Sequence, residues 1–260
     1  MVLLVDEAGQ VSLTQGAILG TFGAGSILFI GDDRQMPPVF HPHLVGHALS
    51  TSIFTHLKNR FPALSIRLTE TYRMNRTITE LVSKAFYEDS GEALVASAFS
   101  ADRLFKLPNM GEVSDIRLTE KESVVVCEVK SDENATDSNR DEAIEVVSLI
   151  KSAILGGLQT DQVAVITPFR RQVKLIRTLL KELPEAADVI VDTVERLQGK
   201  DVEMIVISLC SSSAEYIGSM TPFILNRNRL NVMISRAKSK VILFHSKHLK
   251  HPLYSTLLLD

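Results

Sequence analysis

The 260-residue sequence contains no tryptophan, only two cysteines and few aromatic residues, which make up 6% of the chain. So few cysteines exclude a small disulfide-stapled scaffold. Since Cys127 and Cys210 each lie in an apolar run, we expect two buried, reduced thiols in a cytoplasmic protein, or in a nuclear one if the source is a eukaryote. No basic segment precedes the first apolar run, so we expect no secretory signal. Residues 8–31 carry no charge but contain six glycines, and we expect no membrane span there.

The net charge is small, but it is unevenly distributed along the chain. The formal net charge is −3, which divides into −8 over residues 1–164 and +5 over residues 165–260. A basic C-terminal third can face a polyanion, although an ordinary solvated surface produces the same asymmetry.

Short apolar runs rich in β-branched residues recur along the chain and predict strands that are buried on both faces. They cover residues 2–5, 26–30, 64–68, 123–129, 162–166, 189–191, 204–209 and 240–244. Between them, apolar residues at spacings of three and four predict helices over 77–86, 141–155 and 170–183. Alternating strands and helices predict an α/β fold with a mostly parallel sheet and flanking helices, while residues 88–122 form an irregular excursion.

Polar clusters follow the first two predicted strands, where the ligand crevice of a parallel sheet lies. Asp6 and Glu7 suit a nucleoside triphosphatase, with Asp6 as the Mg²⁺ ligand and Glu7 as the base that activates water. Gly31 permits a turn, and Gln35 can reach a γ-phosphate. Solvated acids at a strand end and an ordinary polar turn are the alternatives.

Later clusters permit the same two interpretations. Arg73 can stabilise phosphoryl charge, while Asn75 beside it suits a helix cap. Thr167 can bind a phosphate or cap a helix with Pro168 at its first position. Arg236 can sense a phosphate or belong to a solvated basic face. Arg229 is seven residues earlier, which predicts one shared helix face.

Six segments, in order, resemble motifs II, III, IV, IVa, V and VI of superfamily-1 helicases. They are VLLVDEAGQ, GDDRQMPP, LTETYRMN, VITPFRRQ, VDTVERLQGKDVEMIVIS and RLNVMISRAK. The branch that they resemble contains the nonsense-mediated-decay RNA helicase and related DNA helicases, and residues 85–88 and 251–254 are also typical of it. The resemblance spans essentially the whole chain and implies two RecA-like P-loop NTPase domains, ATP and Mg²⁺ as cofactors, and single-stranded or duplex nucleic acid as partner.

Carried over position by position, the resemblance implies roles for individual residues. Asp6, Glu7, Gln35, Arg73 and Arg236 take the catalytic positions, with Asp6 also the Mg²⁺ ligand and the two arginines acting as fingers. The ATP-binding positions are Gly31, Asp32, Tyr72, Gln198, Gly199 and Asp201, although the family usually has Glu where Asp201 stands. Thr167, Pro168 and Thr193 correspond to positions near the nucleic-acid backbone.

The sequence contains no GxxxxGK[ST] loop, which holds the β- and γ-phosphates in such motors. We therefore expect a C-terminal fragment that is inactive alone, with residues 1–63 as the remnant of the first RecA-like domain and residues 64–260 as the second. The strand at 2–5 would then be central in its sheet but lack its upstream neighbours, and we expect partial disorder of 1–63 or association with another copy through this edge.

Two other functions stay open at this point. A non-catalytic module can keep the motor fold to bind nucleic acid or a partner, although the retained motif residues argue against it. His41, His43 and His47 have a spacing that allows a metal site, and incidental histidines in a proline-containing loop are the alternative.

Overall fold

The computed structural model describes residues 1–44, 46–47, 49–88, 91, 93–119, 121–130, 134–197 and 199–249. The chain divides into two compact units, Met1–Leu68 and Thr69–Asp260. The assignment of residues 1–63 and 64–260 to two motor domains stays a prediction. Residues 251–254, one of the segments that resembles the helicase branch, lie outside the described residues.

The first unit contains a pair of parallel strands and two helices. Strand β1 (Val2–Val5) pairs with β2 (Ser26–Phe29), as the apolar runs predict. Helix α1 (Leu13–Leu19) lies between the two strands in the chain, and α2 (Ile53–Arg60) follows β2. Each helix is preceded by an N-cap serine whose side chain accepts a backbone N–H. Val2, Leu4 and Leu28 of the strand pair are more than half exposed. Association through this pair stays a prediction.

The second unit is built on a five-stranded sheet in the order β5-β9-β8-β6-β7, in which every pair is parallel. Its strands are β5 (Val124–Glu128), β6 (Val163–Ile166), β7 (Ile190–Asp192), β8 (Val202–Ser208) and β9 (Ala237–His245). A separate parallel pair joins β3 (Glu70–Thr71) to β4 (Val95–Ala96). The prediction of an α/β fold with a parallel sheet and flanking helices is confirmed.

The helices of the second unit are amphipathic and bury their apolar faces. They are α3 (Arg76–Val82), α4 (Arg140–Leu155), α5 (Arg170–Leu180), α6 (Ala214–Ile224) and α7 (Arg227–Ile234), and a π-helical turn extends α3 over Ser83–Tyr87. The core lies between α4, α5 and the central strands, and β6 is buried along its whole length. Across the described ranges, no helix is both long and apolar enough to cross a bilayer.

Three predictions were wrong. Residues 64–68 form no strand, and Ile66 is 94% exposed. The strand in this region is instead Glu70–Thr71, which pairs with Val95–Ala96. Helix α7 ends at Ile234, so Arg229 and Arg236 do not share a helix face; the Arg236 carbonyl already accepts the Val202 N–H of the neighbouring strand. Both cysteines are free thiols, but Cys127 on the edge strand β5 is only partly buried.

Asn75 is a buried connection between the start of α3 and the sheet. Its side-chain oxygen accepts the Ile78 N–H at 3.1 Å, which caps the helix as its residue type predicts. Its amide nitrogen donates to the Arg103 carbonyl at 3.0 Å and to the Ser123 hydroxyl at 2.8 Å. One side chain therefore ties three segments together.

Asn75→Ala should lower the free energy of unfolding by about 2 kcal/mol, because it removes a cap and leaves buried polar groups without their partner. Urea unfolding followed by circular dichroism measures the change. The control is Arg76→Ala, which breaks only an exposed ion pair with Asp102 and should change stability by less than about 0.5 kcal/mol. Equal effects of the two variants would contradict the connecting role of Asn75.

Candidate functional site

The segments that follow β1 and β2 meet closely in the first unit. The Ala8 N–H donates to the Ile30 carbonyl at 2.8 Å. A Cβ atom on Gly31 would lie 2.6 Å from the Gly9 nitrogen, and one on Gly9 would lie 2.5 Å from the Asp32 carbonyl oxygen. Only glycine permits this approach, which brings the Asp6-Glu7 segment beside Gly31 and Asp32.

Asp6 and Glu7 present two exposed carboxylates at the end of β1. Glu7 has a left-handed backbone with φ of 51°, a conformation that costs a non-glycine residue free energy and is typical of functional sites. Its N–H donates to Asp6 Oδ1 at 2.8 Å, and Gln10 Nε2 donates to Glu7 Oε2 at 3.2 Å. Both acids line an open groove of about 470 Å³ together with Val5, Gln10, Val11, Gln15 and Leu19.

Gln35 is held by the acid three residues before it. Its Nε2 donates to Asp32 Oδ2 at 3.0 Å, while the Arg34 N–H donates to Asp32 Oδ1 at 2.8 Å. Asp33 forms a partly buried ion pair with Lys58 at 3.0 Å. Asp32 therefore orients the amide of Gln35, and Asp33 anchors the turn to α2.

Metal-ligating side chains are not clustered in the described part of the chain, where no three His, Cys, Asp or Glu residues are grouped to hold an ion. Of the histidines that the sequence offers as ligands, His41 and His43 stack their rings on each other at 4.9 Å. Mg²⁺ in phosphate-transfer sites needs only one or two carboxylates, since water and substrate phosphates complete its shell. Asp6 and Glu7 fit that requirement.

In the second unit, two candidate arginines approach one another from distant parts of the sequence. Arg73 follows β3, and its Nη1 donates to the Ser235 carbonyl at 3.1 Å, next to Arg236. Arg236 is 3% exposed. Asp201 pairs with Lys238 at 2.9 Å. The hydrogen bond from Lys238 lowers the pKa of the Asp201 carboxyl despite partial burial, and the positive charges of Arg73 and Arg236 lower it further.

Two further ATP-binding candidates of this unit, Tyr72 and Gly199, are exposed. Tyr72 is 63% exposed, and its hydroxyl donates to Glu70 Oε2 at 3.3 Å. Gly199 has a φ of 83°, which favours glycine in the loop before β8. Gln198 lies outside the described residues.

The three nucleic-acid candidates meet at the carboxyl ends of β6 and β7. The Thr167 N–H donates to the Asp192 carbonyl at 3.2 Å, which brings Thr167 and Pro168 beside Thr193. The Thr193 N–H donates to Asp192 Oδ1 at 2.8 Å. All three candidates are buried, and Thr167 is fully so. The structure thus brings them together beneath the surface of the edge where ligands of parallel sheets bind.

Helix α5 does not begin at Pro168. Its N-cap is Phe169, which provides no side-chain hydrogen bond, and its first residue is Arg170. The alternative in which Thr167 caps the helix is therefore wrong.

A buried polar network at the end of β8 has no counterpart among the sequence predictions. Oε1 of Glu142 accepts the Ser208 hydroxyl at 2.6 Å and the Cys210 N–H at 2.9 Å. Gln172 Nε2 donates to Ser208 Oγ at 3.0 Å, and Gln172 Oε1 accepts the Asn139 N–H at 2.8 Å. Burial raises the pKa of Glu142 to about 7, although the hydrogen bonds that its carboxylate accepts from Ser208 and Cys210 oppose the shift. The spacing of Asn139 and Glu142 is the only sequence signal, and it indicates a helix start.

A second connection missed from the sequence joins motif V to motif VI. Arg229 of α7 pairs with Glu195 and lies 4.0 Å above the ring of Phe223. Burial lowers the pKa of Arg229 despite the opposing charge of Glu195. The Phe223 ring in turn lies 5.5 Å from that of Phe169. This chain of contacts links α7 to the segment that contains Thr167.

Comparison with known proteins identifies a matching family over most of the chain. The family model described as AAA domain matches residues 49–248. The DNA replication ATP-dependent helicase/nuclease DNA2 of Mus musculus is 32% identical over 270 residues, which cover 94% of this chain and 24% of that protein. An uncharacterized ATP-dependent helicase of Methanocaldococcus jannaschii is 30% identical over 95% of this chain and 36% of its own length. The chain thus spans between a quarter and about a third of these relatives.

Among solved structures, the chain is similar to the arterivirus nonstructural protein 10 helicase in complex with DNA. The match covers 98% of this chain and 42% of the helicase chain, with a TM-score of 0.48 and 15% identity. The family match and the relatives agree with the six ordered motifs, which contain all the catalytic, ATP-binding and nucleic-acid candidates predicted from the sequence. The chain belongs to the AAA domain family, and its resemblance to the C-terminal region of superfamily-1 helicases is confirmed.

Proposed function

We propose that this chain forms the C-terminal part of an ATP-dependent helicase that couples ATP hydrolysis to movement along one strand and to unwinding of the duplex. The observation that carries the proposal is the convergence of Arg73 and Arg236 beside Asp201. Two arginines from separate motifs concentrate positive charge at one place, which is what a phosphoryl-transfer transition state requires.

The first unit supplies the acids and the amide. Asp6 would hold Mg²⁺, which supplies charge neutralisation at the phosphates when it is bound. Glu7 would accept a proton from the attacking water, and its exposed carboxylate lines the open groove. Gln35, held by Asp32, would sense the γ-phosphate.

The second unit supplies positive charge and the remaining nucleotide contacts. Arg73 and Arg236 would act as arginine fingers. In the first unit, the proposed nucleotide contacts are Gly31 and Asp32. In the second unit, the proposed nucleotide contacts are Tyr72, Gln198, Gly199 and Asp201. The Asp201 carboxylate is paired with Lys238, and so a direct contact with nucleotide would require this pair to rearrange.

A single strand of nucleic acid would cross the carboxyl edge of the sheet, above Thr167, Pro168 and Thr193. Sequence-independent binding of this kind uses phosphate contacts and stacking. The names of the DNA2 relatives, which describe DNA replication, support DNA as the nucleic acid.

The alternative is a non-catalytic module that binds nucleic acid or a partner with the same fold. The observation that argues against it is the left-handed Glu7 beside Asp6, because a strained acid in an open groove has no role in mere packing.

The 260-residue chain alone should bind a fluorescent dT20 oligonucleotide but should hydrolyse ATP feebly or undetectably, because its sequence contains no GxxxxGK[ST] loop. Fluorescence anisotropy and a phosphate-release assay measure the two activities. Robust Mg²⁺-dependent turnover by the purified chain would refute the second expectation. In the complete protein, ATP turnover stimulated by single-stranded DNA tests the proposal itself, and its absence would favour the non-catalytic module.

A further inference from the structure

One face of α5 is a continuous line of positive charge, formed by Arg170, Lys174, Arg177 and Lys181, which we call the basic stripe. These residues fall at spacings of four, three and four, which place them on one side of a helix. All four are exposed. An adjacent side of the helix is buried in the core through Val173, Ile176 and Leu180.

The basic stripe is unfavourable for the helix that carries it. Residues 170–181 include five Lys and Arg residues and no acid. Like charges three and four positions apart repel each other along a helix. The first turn, where the helix dipole favours acids, contains Arg170 and Arg171 instead. A local arrangement that opposes stability points to a function outside the helix.

Acids neutralise only part of this surface. Arg177 pairs with Asp192 at 3.1 Å, and Arg171 pairs with Asp137 at 3.4 Å. Arg170, Lys174 and Lys181 form no ion pair with any residue that the structure describes. Three cations of the basic stripe are therefore available to an external anion.

We propose that the basic stripe binds the phosphate backbone of nucleic acid and extends the strand-binding edge down the side of the second unit. This inference rests on the proposed function, and it adds a contact surface beyond the sheet edge above Thr167. The stripe begins three residues after the buried Thr167, so one strand of nucleic acid that crosses this edge can also reach the stripe. From Arg170 to Lys181 the helix rises by about 16 Å. That length matches roughly five phosphates of one DNA strand at about 3.4 Å each. Phosphate contacts carry no base information, and binding is therefore independent of sequence.

The test compares two triple variants of the 260-residue chain with the same change in net charge. Arg170→Gln/Lys174→Gln/Lys181→Gln removes the available cations of the basic stripe. Lys106→Gln/Lys121→Gln/Lys151→Gln removes three exposed cations elsewhere on the second unit. Binding of dT20 and of a 20-base-pair duplex is measured by anisotropy between 50 and 300 mM NaCl.

For dT20, the stripe variant should lower the salt slope of the logarithm of the binding constant by about 2, since each lost phosphate contact removes about 0.7. Its affinity at low salt should fall roughly tenfold or more, while the control variant changes affinity less than about threefold. The melting temperature of the stripe variant should be unchanged or higher, because like-charge repulsion is relieved.

Wild-type binding together with equal slopes for the two variants would overturn this inference and leave the proposed function intact. The same holds if the stripe variant keeps the wild-type slope, in which case an acidic protein surface becomes the better partner. A wild-type chain that binds neither oligonucleotide would overturn both the proposed function and this inference. A larger loss on the duplex than on dT20 would support the inference and identify the duplex as the ligand of the stripe.

Discussion

Arg236→Ala in the complete protein should lower strand-stimulated ATP turnover by at least about 10³-fold, since arginine fingers contribute on this order to phosphoryl transfer. Arg236 leads into β9 at a place where Arg73 contacts the carbonyl of the preceding residue. The effect should fall on kcat rather than on KM for ATP, because a finger stabilises charge that develops only in the transition state.

Burial of Arg236 requires a check on folding, since the side chain is only 3% exposed. Arg236→Lys keeps the positive charge but loses the planar fork, and it should also lose most of the turnover. The control Arg76→Ala removes an exposed arginine from the same unit and should retain activity. Turnover within a few-fold of wild type in Arg236→Lys and Arg236→Ala would remove the finger role.

The fold could be predicted wherever burial alone determines structure. Strands β6, β8 and β9 are buried by helices and neighbouring strands, and this produces the continuous apolar runs from which they were predicted. The run at 64–68 also predicted a strand, yet Ile66 is 94% exposed. A strand also needs a neighbouring backbone to pair with, and residue types do not report whether one is present.

The candidate site was predictable as motifs but not as contacts. The order of the motifs identified Arg73 and Arg236 as candidates. It did not predict the hydrogen bond from Arg73 to the Ser235 carbonyl, which joins residues 162 positions apart. Helical spacing placed Arg236 on α7, but the chain had already entered the sheet. The buried position of Glu142 was also not predicted, because an acid near a helix start normally faces water.

The network around Glu142 stabilises a strained turn. Cys210 has a φ of 51°, and its N–H is held by Glu142 Oε1. Oε2 of Glu142 is buried and has no hydrogen-bond partner among the residues that the structure describes. A negative charge at this carboxyl is therefore poorly compensated, which is why its pKa rises to about 7.

Glu142→Gln should stabilise the protein by about 3 kcal/mol at pH 8 and change its stability little at pH 4.5 or below, because each unit of pKa shift corresponds to about 1.4 kcal/mol. The folded pKa is raised from 4.5 to about 7, so the folded state prefers the protonated acid. The stability that the acid contributes is complete below pH 4.5 and is lost as the pH rises through 7. Glutamine stays neutral at every pH and keeps an oxygen that can accept the Ser208 hydroxyl and the Cys210 N–H.

Urea unfolding of wild type and Glu142→Gln at pH 5, 6, 7 and 8 should therefore give two stability curves that diverge as the pH rises. The matched control is Glu145→Gln on the same helix, where the carboxylate is half exposed and pairs with Arg117. Its effect should stay within about 1 kcal/mol at every pH, as expected for a surface ion pair. A constant difference between wild type and Glu142→Gln across this range would show that Glu142 does not titrate in the folded protein. A loss of stability at pH 8 would show instead that the ionised carboxylate is required by the turn at Cys210.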